Sequence, residues 1–249
     1  MGPNWLDLPI DVTAFILQKL SVADILTSAR QVCSLWWNIC KDPLMMRSID
    51  LTLCRNYPAY MLRAFCRYAV DQSCGHLEDI TIEYFATDDF LKYIASSSSH
   101  LRRLRLPYCS EISEKGLIEV AKKLPHLEEL VDISYSPLTK DSLQAIGRCC
   151  PHLKVLKFYN GPLYPSFKDE EAFAIAQTMP ELRHLHIVGF NFLSKDGLHA
   201  ILDGCPLLES LHILHSYNID WRTNETLRKR CLEHIKEVQL PRKAYEIKY

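Results

Sequence analysis

Leucines and other large apolar residues recur along most of the chain in the spacing Leu-x-x-Leu-x-Leu. The first leucines of successive copies lie at Leu77, Leu101, Leu127, Leu153, Leu182 and Leu208. The copies are therefore 24, 26, 26, 29 and 26 residues apart, and looser copies begin at Met46 and Ile235. Alternation of this kind is typical of a short strand with one buried face. The pattern predicts one strand in each copy.

The second half of each copy has a helical period. Residues 116–121 and 197–202 occupy the same place relative to Leu101 and Leu182. Prolines at 125, 151, 180 and 206 follow these segments, and proline disfavours helix at the residue before it. A strand and a helix in each repeat of this length indicate a leucine-rich-repeat solenoid. We expect an α/β fold with a parallel sheet on the concave face and helices on the convex face. One irregularity is expected at Asp132, with Ile133 taking the inward position.

The first part of the chain has helical periodicity instead. Val12, Phe15, Ile16 and Leu20 form one stripe after a start at Leu8-Pro9. A capping-box-like Ser21-Val-Ala-Asp24 opens a further helical stripe, which Asp42-Pro43 stops. Three short helices cannot close a core alone, and this segment is rich in large apolar residues. It therefore offers a surface for a partner; the alternative is that it only caps the solenoid.

The same segment carries a motif at family-specific positions. They are Leu8, Pro9, Ile16, Leu17, Leu20, Asp24, Ile25, Leu26, Val32, Cys33, Trp36, Pro43, Leu44, Arg47, Ile49 and Asp50. With these positions, residues 4–51 resemble an F-box, the helical module that docks on the Skp-type adaptor of cullin-based ubiquitin ligases. The family usually has Trp before the arginine, where this chain has Met46.

The whole chain resembles plant-type F-box proteins with C-terminal leucine-rich repeats. The resemblance implies an F-box at 1–45 and a solenoid of about seven to eight units at 46–249. It implies that the partners are the Skp-type adaptor, cullin through that adaptor, and protein clients of unknown identity. The residues expected at the adaptor interface are Leu8, Pro9, Ile16, Leu20, Val32 and Trp36.

Residues between the inward leucines are expected on the concave face. This row and its neighbours contain Arg103, Arg105, Lys157, Tyr159, His186 and His212. We expect a mildly basic trough suited to an acidic or mixed peptide, with binding that weakens with salt and strengthens as the histidines protonate below about pH 6.5. The alternative is a solvated face without a ligand.

A second candidate client site is the loop at 159–167, in the unit with the longest spacing. Tyr159, Tyr164 and Phe167 lie among prolines and a glycine, and aromatic residues on such loops are enriched at binding surfaces. Alternatively, Tyr164 or Phe167 folds back onto the helix.

Histidines are explained mainly by the repeat. His76, His100, His126 and His152 each precede a first leucine and share one structural position. His184, His186 and His212 fall on adjacent strands, so a metal-binding repeat enzyme is an alternative hypothesis. Solvent-facing polar side chains are the simpler interpretation.

Composition and charge restrict the classes of partner that the chain is expected to bind. The net charge of −1 at pH 7 and the absence of charge blocks argue against nucleic acid. No long apolar run predicts a membrane span, and no secretory signal is recognisable. The 10 cysteines contain no Cys-x-x-Cys pair, so reduced thiols without a metal are expected. We expect no cofactor and a location in the cytoplasm and/or nucleus.

The sequence thus predicts a non-catalytic, substrate-recognition subunit of a Skp-cullin-F-box ubiquitin ligase, because the F-box resemblance implies it. No phosphate-binding loop, nucleophile elbow or zinc-protease motif favours an enzyme. A second hypothesis is an F-box protein that acts with the Skp-type adaptor outside the ligase.

Overall fold

A computed structural model describes residues 7–134, 138–160, 167–189, 192–213, 219 and 224–239. The chain begins with helices α1 (Ile10–Leu17), α2 (Val22–Thr27) and α3 (Ser34–Cys40), with 3-10 turns at Ala29–Gln31 and Pro43–Met46. The hydroxyl of Ser21 accepts the backbone N–H of Asp24 at 3.1 Å, which caps α2 as predicted. Asp42 accepts the N–H of Leu44 at 2.9 Å and starts the second 3-10 turn.

Parallel strands form one continuous sheet over the described residues. They are β1 (Ser48–Asp50), β2 (Asp79–Thr81), β3 (Arg103–Arg105), β4 (Glu129–Ser134), β5 (Val155–Asn160), β6 (His184–Gly189), β7 (Ser210–Ile213) and β8 (Glu237–Gln239). Their order in the sheet is the order in the chain. Each strand therefore pairs only with the units before and after it, as expected for a solenoid.

Helices alternate with these strands. They are α4 (Ala59–Gln72), α5 (Asp88–Ser97), α6 (Glu114–Ala121), α7 (Lys140–Cys149), α8 (Asp169–Thr178), α9 (Lys195–Gly204) and α10 (Glu225–His234). Their apolar faces are buried against the sheet, and helices of adjacent units lie side by side. Within the described residues, no helix is both long and apolar enough to cross a membrane.

The inward leucines form the core that the repeat pattern predicts. All six first leucines are buried, and so are the second leucines Leu104, Leu156 and Leu185. Leu104 pairs with Leu130, and Leu156 pairs with Leu185 on neighbouring strands. This confirms the predicted strand register, because a shift of one residue would have turned these side chains to solvent.

The predicted irregularity in β4 is a bulge. Leu130 pairs with Leu156, but the next inward pair is Ile133 with Phe158, so one extra residue lies in β4. Ile133 is buried, which confirms that it takes the inward position. The extra residue is accommodated locally, and the strands on both sides keep the parallel pairing.

A buried arginine joins the N-terminal helices to the first repeat. The guanidinium of Arg30 donates to the Tyr68 hydroxyl at 2.6 Å and to the Cys40 carbonyl at 3.2 Å, and it also bonds to Gln72. Gln72 in turn donates to the Cys40 carbonyl at 2.7 Å. Tyr68 and Gln72 belong to α4, so the helical segment is fixed against the repeats by a hydrogen-bonded network.

Candidate functional site

The N-terminal helices present an apolar face to solvent. The side chains of Ile10, Phe15 and Val32 are 63%, 61% and 60% exposed, respectively. Val12, Leu20, Trp37 and Leu44 are also exposed. In contrast, Leu17 is completely buried, because this side of α1 faces the core. We call the exposed residues Ile10, Val12, Phe15, Leu20, Val32, Trp37 and Leu44 the apolar N-terminal face.

Two of the exposed aromatic rings on this face lie beneath lysines. The Lys19 ammonium lies 4.7 Å from the ring centre of Phe15, and the Lys41 ammonium lies 4.6 Å from that of Trp37. Each ammonium group lies over the face of its ring, in a cation–π contact. The arrangement is an apolar patch with a charged rim, which is typical of a protein-binding surface.

The six residues predicted to contact an adaptor lie in or beside this face. Leu20, Val32 and Pro9 are exposed, whereas Leu8, Ile16 and Trp36 are half-buried, with Trp36 against the core. Their contacts with a partner stay predictions.

Sequence reasoning omitted Ile10, Phe15 and Leu44 from the predicted interface, although each of these apolar residues is more than half exposed. The available signal was that α1 is apolar on more than one side, which exceeds the single stripe that a core-facing helix requires.

The concave sheet face brings the two predicted arginines together, but it pairs each of them with acids. Arg103 Nε lies 2.8 Å from Asp79 Oδ2, and Arg105 Nη1 lies 2.7 Å from Asp79 Oδ1. Arg105 also donates to Glu129 at 2.9 Å from Nε and at 3.2 Å from Nη2. The hydrogen bond to Asp79 is the largest cause of the raised pKa of Arg103. The expectation of a mildly basic trough is corrected at these two arginines, because two carboxylates compensate their charges. Their contact with a client stays a prediction.

Further along the concave face, His186 and His212 stack as the register predicts. Their ring centres are 4.0 Å apart and the planes are inclined by 14°. His186 Nε2 lies 3.1 Å from the hydroxyl of Ser210. His212 Nε2 lies 3.1 Å from a carboxylate oxygen of Glu237 without forming a hydrogen bond. Two imidazoles thus form a compact, partly buried pair beside Lys157 on β5.

Burial lowers the pKa of His186 to about 4, with further lowering by His212 and Lys157. His186 therefore stays neutral under mildly acidic conditions. This contradicts the expectation that this histidine adds positive charge to the trough below about pH 6.5.

The described residues also fail to support the metal hypothesis for His184, His186 and His212. Among them, no group of three histidine, cysteine or acidic side chains could hold a metal ion. His184 pairs with Ser210 in the sheet, two residues before the stacked pair.

The candidate loop at 159–167 is described only at its ends. Tyr159 is exposed at the end of β5, whereas Phe167 is buried, with its ring centre 5.7 Å from that of Phe158. Tyr164 lies outside the described residues. The Phe167 ring is part of the core and offers no exposed surface to a client, whereas a client contact of Tyr159 stays a prediction.

The histidines that precede the first leucines occupy one edge of the sheet. His76, His100, His126 and His152 are all exposed, and the rings of His100 and His126 stack at 5.5 Å. Charged residues form a row beside them: Glu78 pairs with Arg47 at 2.8 Å, and Glu128 pairs with Lys154 at 2.8 Å and with Arg102. The repeat register accounts for this row without a chemical role.

Several cysteines behave as apolar core residues. Burial raises the pKa of Cys66, Cys150 and Cys205 to about 12. These thiols are therefore protonated at neutral pH, and thiolates are the nucleophilic form. They contribute packing rather than reactivity.

Comparison with known proteins finds relatives for the N-terminal segment and for most of the chain. A family model described as F-box-like matches residues 5–52. The chain is 45% identical to F-box protein SKIP19 of Arabidopsis thaliana over 240 residues, covering 96% of this chain and 77% of that protein. It is also 44% identical to putative F-box/LRR-repeat protein 23 of the same plant. That match covers 96% of this chain and about half, 53%, of the relative.

The fold also resembles a solved structure. A chain in the crystal structure of the Rad7 and Elc1 complex in yeast matches with a TM-score of 0.50 and 20% identity. The match covers 84% of this chain and 49% of that chain. At this identity the likeness concerns the fold alone.

Proposed function

This chain belongs to the F-box/leucine-rich-repeat proteins, and we propose that it is a substrate-recognition subunit of a Skp-cullin-F-box ubiquitin ligase. In this role the apolar N-terminal face binds a Skp-type adaptor, which connects the chain to cullin, and the repeats bind protein clients. The proposed location is the cytoplasm and/or the nucleus.

The observation that carries the proposal is the apolar N-terminal face within the segment that the F-box-like family model matches. Side chains such as Ile10, Phe15 and Val32 gain about 1.5–3 kcal/mol each when they are fully removed from water. Their exposure in the isolated chain is explained if a partner covers them. The charged rim from Lys19 and Lys41 then surrounds the contact.

The proposed contribution to ubiquitin transfer is positional. A subunit that holds a client lysine near a charged ubiquitin carrier raises their effective concentration and needs no chemical group of its own. The network around Arg30 suits this role, because it fixes the adaptor-binding helices against the first repeat. A client on the repeats would then be presented in a defined direction.

A client trap tests the whole proposal. Affinity capture followed by mass spectrometry would compare the wild type with Leu8→Ala/Pro9→Ala, which alters docking but leaves the repeats intact. Deletion of 1–45 is a poorer trap, because Arg30 and other core residues of this segment are buried against α4. We expect the variant to lose adaptor and cullin and to retain clients that accumulate.

Three results would change this conclusion. Adaptor retained in the double variant would contradict docking through the F-box. Adaptor captured with the wild type but without cullin would favour a complex outside the ligase. If loss of docking changes neither the amount of the clients nor their ubiquitination, recruitment for degradation is contradicted.

A further inference from the structure

A small apolar cavity opens where the first two strands end. Its volume is about 250 Å³, and its apolar walls come from Leu51, Tyr57, Leu62 and Phe85. Ala59, at the start of α4, lies on the rim and is itself exposed. Pockets for drug-sized ligands are about 300–1,000 Å³. This cavity is below that range and suits a single large side chain.

One charged pair lies in the wall of the cavity. Arg55 donates from Nε and from Nη2 to the two carboxylate oxygens of Glu83, at 2.7 Å in each case. The Glu83 side chain is only 4% exposed, whereas that of Arg55 is 67% exposed. The pair is neutral overall, but the part that meets solvent is the guanidinium. An approaching ligand therefore meets the exposed guanidinium, with its positive charge and its N–H donors.

Two stacked tyrosines extend the same site. The rings of Tyr84 and Tyr108 are 5.1 Å apart and inclined by 14°, and both side chains are exposed. Both residues have positive φ, 69° for Tyr84 and 57° for Tyr108, a region that favours glycine. The Tyr84 N–H donates to the Pro107 carbonyl at 3.1 Å, which joins the two turns.

These turns hold large aromatic groups toward water in a backbone region that is strained for residues other than glycine. The phenol groups are also near enough to Arg55 to contribute to its raised pKa, although the hydrogen bond to Glu83 is the largest cause. The cavity, Arg55 and the two tyrosines therefore form one continuous surface, which we call the tyrosine–arginine pocket.

We propose that the tyrosine–arginine pocket is a client-recognition subsite for a peptide segment with a large apolar residue next to an acidic one. The apolar side chain enters the cavity, the neighbouring carboxylate pairs with Arg55, and the peptide backbone lies along the stacked tyrosines. The inference rests on the proposed function, since it specifies which clients the repeats recruit. It places recognition at the ends of β1–β3 rather than on the concave face.

The charges and residue types favour this occupant over others. On the concave face Asp79 and Glu129 compensate Arg103 and Arg105, whereas the carboxylate partner of Arg55 is buried beneath it. Tyrosine and arginine are the side chains enriched among binding hot spots, because they provide a large contact area together with hydrogen bonds. A basic peptide would be repelled by the exposed guanidinium.

A displayed library of random peptides, selected on the purified full-length chain with its co-expressed Skp-type adaptor, tests the proposal. We expect selection of peptides with Phe, Leu or Trp beside Asp or Glu. Ala59→Trp would fill the cavity and weaken binding of the selected peptides by about tenfold or more, as when a hot spot is lost. Ala64→Trp is the matched control, because Ala64 is also exposed on α4 but does not line the cavity.

A second variant tests the contribution of the Arg55 charge to peptide binding while the cavity is kept. Arg55→Gln/Glu83→Gln keeps a hydrogen bond between the two side chains without leaving a buried carboxylate unpaired. We expect it to retain selection for the apolar residue and to lose the preference for a neighbouring acid. If acidic residues are selected as strongly as before, Arg55 is not their partner and the proposal is overturned.

The outcomes distinguish this inference from the proposed function. Adaptor co-purification is measured on the same variants and should be unchanged in all of them. Failure to select the apolar–acidic pattern, or equal binding by Ala59→Trp and Ala64→Trp, overturns the pocket while the adaptor role stands. If the wild type does not bind the adaptor but still binds the selected peptides, the proposed function is overturned and the peptide-binding role of the pocket stands.

Discussion

At the scale of single residues, Arg105 shows that an outward position in a strand can still carry structure. Its guanidinium bridges Asp79 on β2 and Glu129 on β4, at 2.7 and 2.9 Å. The repeat pattern correctly places it on the concave face. It could not reveal the cross-strand acids, because they lie 26 and 24 residues away in sequence. The side chain therefore connects three strands in addition to facing solvent.

We expect Arg105→Ala to destabilise the protein by roughly 1 kcal/mol or more, because it leaves two carboxylates without their shared partner. Lys157→Ala, at a corresponding position on β5, should have an effect within about 0.5 kcal/mol. Leu104→Ala, at the adjacent inward position, should cost about 2–5 kcal/mol. Chemical denaturation of the three variants checks the order. An equal effect of the arginine and lysine variants would contradict the bridging role.

His186 gives a prediction on pH. Its pKa of about 4 in the folded protein lies below the ordinary value of 6.5. Between these values the unfolded chain binds a proton that the folded chain does not, so stability falls as the pH is lowered through this window. Above about pH 6.5 the histidine is neutral in both states and contributes no slope.

Thermal melting at pH 7 and pH 5 tests this. The drop in Tm should be smaller for His186→Gln than for the wild type, because glutamine does not titrate. His184→Gln is the control on the same strand. Equal drops for wild type and His186→Gln would show that the partly buried imidazole does not control this part of the stability curve.

At the scale of elements, the bulge in β4 shows that one extra residue can be inserted locally while the neighbouring strands keep their parallel pairing. Sequence alone predicted that Ile133, not Asp132, faces inward, because only the apolar side chain fits the core. Alternation identifies the inward residue, but it does not predict the shift in pairing from Leu130 with Leu156 to Ile133 with Phe158. The same limit applies to Phe167, whose aromatic character in a Pro/Gly-rich loop suggested a binding residue although the ring is buried.

Deletion of single residues tests the register directly. Removal of Asp132 should be tolerated with a small loss of Tm, because Leu130 and Ile133 then have the regular inward spacing. Removal of Lys157 from the regular strand β5 should turn Phe158 away from the core and cost about 3–5 kcal/mol or more. Circular dichroism melts of both deletions provide the measurement. A larger loss for the Asp132 deletion would contradict the assigned bulge.

At the scale of the whole molecule, the N-terminal helices and the repeats share one core, with Arg30 at their junction. The solenoid was predictable because its period repeats in every unit, and local alternation decides which side chains are buried. The interaction surfaces were less predictable. The sequence shows that α1 is apolar, but it does not show which face of α1 packs against α3 and the core and which face stays exposed. The tyrosine–arginine pocket depends on two turns with positive φ, for which no glycine marks the sequence.

The central claim is that the apolar N-terminal face binds a Skp-type adaptor. The measurement is the affinity of the purified adaptor for Phe15→Ala and Phe173→Ala. Both phenylalanines are exposed, but Phe173 is on α8 in the repeats. We predict that Phe15→Ala weakens binding by 2 kcal/mol or more, roughly thirtyfold, and that Phe173→Ala binds as the wild type does. Equal affinity of the two variants, or a loss confined to Phe173→Ala, would contradict the claim.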